Sequence, residues 1–157
     1  MPEVTVCIPV GPEPHHQEYL EECLASVRTQ THPANEILLI DDMANLVNGD
    51  IRVDEERTDG LCHAWSGPLA GCNIWYAPWR VGAASAINFG VALAKNELVY
   101  LLCGDDWLEP ECLESCVEAF EQANDPLGYY HVTVRFRPEG DYQHPGGLPD
   151  PPIQDLP

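Results

Sequence analysis

A chain of 157 residues, 45% of them hydrophobic, is long enough to bury one core without disulfides or structural metals, which argues against general disorder and for one domain. Its 26 acidic residues against 7 basic ones, with Lys95 the single lysine, give a formal charge of −19 that repels polyanions and sets nucleic acid aside as a partner. A phosphate-bearing small molecule would then depend on a divalent cation, a helix N-terminus or one of the few arginines, while most of the acidity reads as a solvated surface.

The run Val4-Thr5-Val6-Cys7-Ile8 predicts a β-strand stopped by Pro9, with a loop over Val10-Gly11-Pro12-Glu13-Pro14. Leu20, Cys23, Leu24 and Val27 recur at helical spacing and predict a first helix from about Gln17 to Gln30. Glu36 to Ile40 is a nearly continuous apolar strand that ends in Asp41-Asp42, the pattern of a buried parallel strand delivering polar residues at its carboxyl end. Met43 to Cys72 shows no period. Asn73 to Ala77 predicts a short strand, Val81 to Lys95 a helix of small residues, and Leu98 to Leu102 another buried strand. After Cys103-Gly104-Asp105-Asp106, Glu109-Pro110-Glu111 suits a helix start, and that helix is expected to reach Ala123. Tyr129 to Phe136 predicts one more strand. The expected organisation is a domain over 1–137 and a Pro/Gly-rich irregular tail over 138–157.

Seven cysteines, an odd number with no C-x-x-C pair, read as buried reduced thiols; Cys112 and Cys116 share a helix face but lack a second pair for zinc. No apolar run reaches membrane-spanning length and no basic-then-apolar leader opens the chain, so a cytoplasmic protein without a transmembrane segment is expected.

In an open α/β sheet, ligands bind where the strands' carboxyl ends meet the next loops. This chain places Pro9-Val10-Gly11, Asp41-Asp42 and Gly104-Asp105-Asp106 at such ends. Clustered carboxylates would repel one another and a diphosphate unless Mg²⁺ or Mn²⁺ sat among them, since these ions accept carboxylate and phosphate oxygens together. Either Asp pair alone is better read as capping a turn. Their coincidence at strand ends favours a metal-bridged diphosphate.

These stretches, in this order, resemble the inverting family-2 glycosyltransferases of the GT-A fold. Val4 to Pro9, the helix ending Ser26-Val27-Arg28-Thr29-Gln30-Thr31, and Glu36 to Asp42 look like that family's opening strand, its Ser-x-x-x-Gln-Thr helix end and its strand closing in Asp-Asp. Gly82 to Gly90 is similar to its Gly-x-x-x-Ala-Arg-Asn-x-Gly helix, and Leu102 to Pro110 to its Leu-Asp-x-Asp-Asp segment. The resemblance implies an α/β, three-layer α/β/α sandwich around a mostly parallel sheet, and a metal-dependent, inverting transfer of sugar from a nucleoside-diphosphate sugar to an acceptor of unknown identity. Under it, Pro9, Val10, Gly11 and Asp42 border the nucleobase and Asp105 holds Mn²⁺ or Mg²⁺, with Asp106 as second choice. Arg80, just ahead of Gly82, is a candidate phosphate or ribose contact, or equally a surface arginine paired with a carboxylate.

Two residues depart from the family pattern. Cys103 stands where the first aspartate of the Asp-x-Asp signature is usual, and Ile87 where an arginine often precedes the asparagine. The base that an inverting transfer needs lies downstream in the family. Here Glu139 and Asp141 are the carboxylates in that direction, with His131 and His144 beside them, and none sits in a matching motif. His15 and His16 either line the donor pocket or are solvated loop residues. The competing readings are a non-catalytic nucleotide-sugar-binding module that works with a partner chain, and a nucleotidyltransferase, which lacks here its basic Gly-rich loop. Self-association into a homo-oligomer is left open.

Overall fold

The computed structural model describes residues 2–47, 51–54 and 60–122. The strand expected at Tyr129–Phe136, the helix end at Ala123, the boundary after Arg137, and His131, Glu139, Asp141 and His144 lie outside these residues.

Five strands form one sheet: β1 (Val4–Val10), β2 (Glu36–Asp41), β3 (Cys62–His63), β4 (Asn73–Tyr76) and β5 (Leu98–Leu101), in the order β3-β4-β2-β1-β5. β1 runs parallel to β2 and β5, and β2 parallel to β4; β3 alone is antiparallel to its neighbour. The described helices are α1 (Pro14–Glu18), α2 (Leu20–Arg28), α3 (Ala83–Leu93) and α4 (Cys112–Gln122).

Side chains alternate across a strand, so each strand feeds two cores. Val4, Val6, Ile8 and Val10 of β1 join Leu39 and Ile74 with Leu24 and Val27 of α2 and Leu113 and Val117 of α4. On the opposite face Cys7, Leu38 and Ile40 meet Ala86 of α3. The sheet is therefore covered on both sides, the three-layer sandwich the sequence implied. Ile8, Leu24, Leu38, Leu39, Ile40 and Ile74 are all under 2% exposed, and burying each contributes about 1.5–3 kcal/mol. Gly90 lets α3 lie close to the sheet, because a Cβ there would collide with the Cys7 thiol and touch Ile40.

Pro9 does not stop β1, which continues to Val10. The carbonyls of Val4 and Val10 accept from Asn35 and Asp42 beside β2, whereas that of Cys7 accepts from Leu102 after β5. Pro9, like Cys7, therefore faces β5, but that pairing ends at Cys7↔Leu101, and no ladder bond is lost to its missing N–H.

The first helix is two pieces, α1 and α2, meeting at Tyr19, and the earlier start follows from Pro14, which is preset for a first turn. α3 begins at Ala83 and ends at Leu93, and α4 begins at Cys112, later than the sequence suggested. The periodless stretch after Met43 contains β3, a 3₁₀ turn over Gly67–Leu69 and a bridge between Val53 and Ala64. No described helix is long and apolar enough to cross a membrane.

Candidate functional site

The carboxyl ends of β1, β2 and β5 stand side by side, so the three segments singled out by sequence converge on one edge. The two aspartates after β2 divide the work between them. Asp41, 3% exposed, turns its carboxylate into the following loop: Oδ1 accepts the Ala44 and Asn45 N–H groups at 2.6 and 3.2 Å, and Oδ2 that of Leu46 at 2.8 Å. Those bonds hold a loop in which Met43 and Asn45 have φ of 65° and 54°, a left-handed conformation that asparagine tolerates and that is costly for Met43. Asp42 reaches the other way. Its Oδ1 accepts the Val81 N–H at 2.6 Å and its Oδ2 that of Gly82 at 2.9 Å, tying β2 to the first residues before α3. Gly82 itself has φ 81°, which explains glycine at that position.

Asp105 and Asp106 lie in a turn closed by the Asp106 N–H on the Cys103 carbonyl at 3.1 Å. The turn is fastened to α2 by the residues of the Ser-x-x-x-Gln-Thr ending. Ser26 Oγ accepts the Leu108 N–H at 3.0 Å, Gln30 Nε2 donates to the Glu109 carbonyl at 2.7 Å, and Gln30 Oε1 accepts the Leu113 N–H at 2.9 Å. Thr31 donates its backbone N–H to Pro110 at 2.9 Å and its hydroxyl to Glu114 at 2.8 Å. The sequence pattern locates this motif but not its task, because the partners of Gln30 stand 79 and 83 residues further along the chain.

The donor atoms of Cys103, Asp105 and Asp106 lie within 4.8 Å of one another. This crowding has an electrostatic signature: partial burial and then the charge of Asp105 raise the Asp106 carboxyl above its ordinary value. Cys103, expected to be buried, is exposed, and its thiol is raised by partial desolvation first and by Asp106 and Asp105 next. Cys23, which donates to the Cys103 carbonyl at 3.6 Å, is pushed up to about 12, by burial first and these aspartates next.

Arg80 comes to the same edge, but its guanidinium is hydrogen-bonded and ion-paired to Glu13 of the loop after β1. The hydrogen bond to Arg80 holds the Glu13 carboxyl below its usual range. His16 Nδ1 accepts the Gly11 N–H at 3.2 Å, and His15 Nε2 stands 3.8 Å from Asp105 Oδ2. The structure thus brings together Pro9, Val10, Gly11, Asp42, Arg80, Gly82, Asp105 and Asp106 around the strand ends. Glu139 and Asp141 are not among the described residues.

A mostly parallel sheet with aspartates following β2 and β5, beside the loop after β1, is an open α/β arrangement, and the solved structures it resembles make it a GT-A fold. The mannosyltransferase PcManGT from Pyrobaculum calidifontis, solved in complex with GDP-Man and Mn²⁺, superposes with a TM-score of 0.54 at 21% identity, over 80% of this chain and 33% of that one. TarS from S. aureus in complex with UDP-GlcNAc gives 0.55 at 16% identity, over 76% and 31%. These likenesses establish the fold. In sequence, the glycosyl transferase family 2 model matches residues 54–153. An uncharacterized glycosyltransferase of Nostoc sp., alr2836, is 30% identical over 119 residues, covering 74% of this chain and 33% of that protein. The glycosyltransferase GlyG of Streptococcus pneumoniae is 26% identical over 116 residues, covering 73% and 35%. The chain belongs to glycosyl transferase family 2, and it spans about a third of the length of these curated relatives.

Proposed function

We propose that the chain is the donor-binding part of a glycosyltransferase that takes a nucleoside-diphosphate sugar at the carboxyl ends of β1, β2 and β5 and transfers the sugar with inversion. The observation that carries this reading is where positive charge is left for a diphosphate. In this acidic chain three local sources are already engaged: Asp42 takes the N–H groups leading into α3, Gln30 takes an N–H of the first turn of α4, and Glu13 takes Arg80. A cation at Asp105 and Asp106 is then the natural counter-charge, and the crowded carboxylates there are a donor set that suits Mn²⁺ or Mg²⁺. Such an ion, when bound, supplies neutralisation of the departing diphosphate.

The protein's own residues supply the rest. Pro9, Val10 and Gly11 border the base with Asp42, which keeps its loop in place through Val81 and Gly82. Arg80 is a phosphate contact once exchanged from Glu13. Glu139 or Asp141 removes the proton of the acceptor hydroxyl. The Mn²⁺ and GDP-Man of PcManGT and the UDP-GlcNAc of TarS support a donor of this class. We also propose a domain over 1–137 followed by an irregular tail, and a cytoplasmic setting, for which the seven free thiols are the support.

The test is calorimetric titration of nucleoside diphosphates and their sugars with Mn²⁺ and again with chelator. Metal-dependent binding of one nucleotide, lost in Asp105→Ala, is the expected result. Binding that survives both the chelator and the substitution would remove the site assignment, and donor bound but never consumed in any acceptor screen would remove the catalytic claim.

A further inference from the structure

Asp105 belongs to a second group of potential ligands besides that of its own turn: its carboxylate and the rings of His15 and His16 on α1 present donor atoms within 4.8 Å of one another. The approach is built into the fold, since Gly104 lies against the His16 carbonyl, where an added Cβ would stand 3.4 Å away. His15 Nε2 is 3.8 Å from Asp105 Oδ2, and the two side chains are 53% and 34% exposed. That separation is too long for a hydrogen bond. It fits two ligands of one ion, because metal–nitrogen and metal–oxygen bonds of about 2.1 Å set neighbouring donors roughly 3–4 Å apart.

The two histidines are not equivalent. His16 Nδ1 meets the Gly11 N–H at 3.2 Å and the Glu13 carboxylate at 3.4 Å, so that ring is engaged by the loop after β1. His16 stands edge-on to His15 with ring centroids 4.3 Å apart and fixes the short helix against the loop after β1. The His15 ring makes no comparable backbone bond among the described residues, and its Nε2 is directed at Asp105.

We propose that His15 is a ligand to the cation held by Asp105, making a mixed imidazole–carboxylate site that selects a first-row transition ion over Mg²⁺. The inference rests on reading Asp105 as the cation's anchor. Mg²⁺ takes oxygen ligands and gives up water reluctantly, whereas imidazole nitrogen favours the later transition ions. His15, on α1, adds a nitrogen donor beside the turn that carries Cys103, Asp105 and Asp106.

Co²⁺ titrated into the full chain without nucleotide, followed by its visible absorption and by calorimetry, tests the proposal. His15→Ala should weaken Co²⁺ by at least the roughly tenfold that losing even a supporting partner costs, and should change the absorption spectrum. Mg²⁺, measured by competition, should bind both proteins alike. His15→Gln, which keeps bulk but not the imidazole, should behave as His15→Ala, and both variants should retain the wild-type circular dichroism. Co²⁺ affinity and spectrum unchanged in His15→Ala, or no Co²⁺ binding to the wild type, would overturn the proposal. If Asp105→Ala abolishes Mn²⁺-dependent nucleotide binding while His15→Ala leaves Co²⁺ untouched, the donor reading stands and this one falls. Co²⁺ binding that needs His15, in a protein that binds no nucleotide, supports this inference and removes the donor reading.

Discussion

Gln30 joins α2 to the loop that carries Asp105 and Asp106, so Gln30→Ala should damage both stability and the site. The side chain is 8% exposed and makes two bonds across elements, to the Glu109 carbonyl at 2.7 Å and from the Leu113 N–H at 2.9 Å. Each such bond contributes about 0.5–1.5 kcal/mol net, and the buried Leu113 N–H left without an acceptor adds a cost of its own, so a loss of about 2–4 kcal/mol is expected. For a chain of this size that lowers the melting temperature by roughly 5–15 °C. Thermal unfolding followed by circular dichroism gives the first number, and Mn²⁺-dependent nucleotide titration at a temperature where the variant is folded gives the second. Gln30→Glu, which sets a carboxylate oxygen against the Glu109 and Ser26 carbonyls that Nε2 now serves, should lose at least as much. A variant that melts within about 1 °C of wild type and binds nucleotide equally well would refute the role given to this motif.

Gly90→Ala adds a methyl group against the Cys7 thiol and 3.4 Å from Ile40 Cγ1, and overpacking of this kind costs about 1–3 kcal/mol in denaturant unfolding. Most of that loss should return in Gly90→Ala with Cys7→Ala. Burial, with Glu36 for Cys7 and Asp106 for Cys23 as next causes, pushes both thiols from the ordinary 9.0 up to about 12. Above pH 9 the unfolded thiols ionise while the folded ones stay protonated, so the unfolded state binds fewer protons and stability falls from about pH 9 to about pH 12. Stability measured across that range should decline less steeply in Cys7→Ala with Cys23→Ala. Glu13→Gln releases Arg80, and metal-dependent nucleoside diphosphate binding should tighten if Arg80 meets the phosphates; no change would leave Arg80 as a partner of Glu13 alone.

β1 and β2 were legible because burial on both faces leaves a continuous apolar run, as in Ile37 to Ile40, whereas β5, expected to be buried, lies at the outer edge of the described sheet with its side chains only partly covered. The stretch after Met43 was not legible, because no period organises it. One buried carboxylate, Asp41, gathers three backbone N–H groups there, and a sequence records only that an aspartate is present. Pro9 misled for a related reason: its cost depends on which neighbour its nitrogen would have faced, and that is a property of the sheet. Asp42 and Asp105 were locatable from strand ends. The engagement of Arg80 by Glu13 joins residues far apart in the chain, and no local pattern distinguishes it from an arginine open to phosphate.

β5 is the outer strand of the described sheet, and its Leu98-Val99-Tyr100-Leu101 run carries no charge or proline, with Leu101 47% exposed. Natural sheets usually blunt such an edge with lysine, proline or a bulge. The described run of β5 has neither lysine nor proline, and the chain's charge of −19 adds a repulsion between whole molecules. Guarding of that kind is conditional on the medium: it reaches only about 8 Å at physiological ionic strength, and it disappears as the pH approaches 4.3. The force that keeps whole molecules apart is therefore set by salt and acidity.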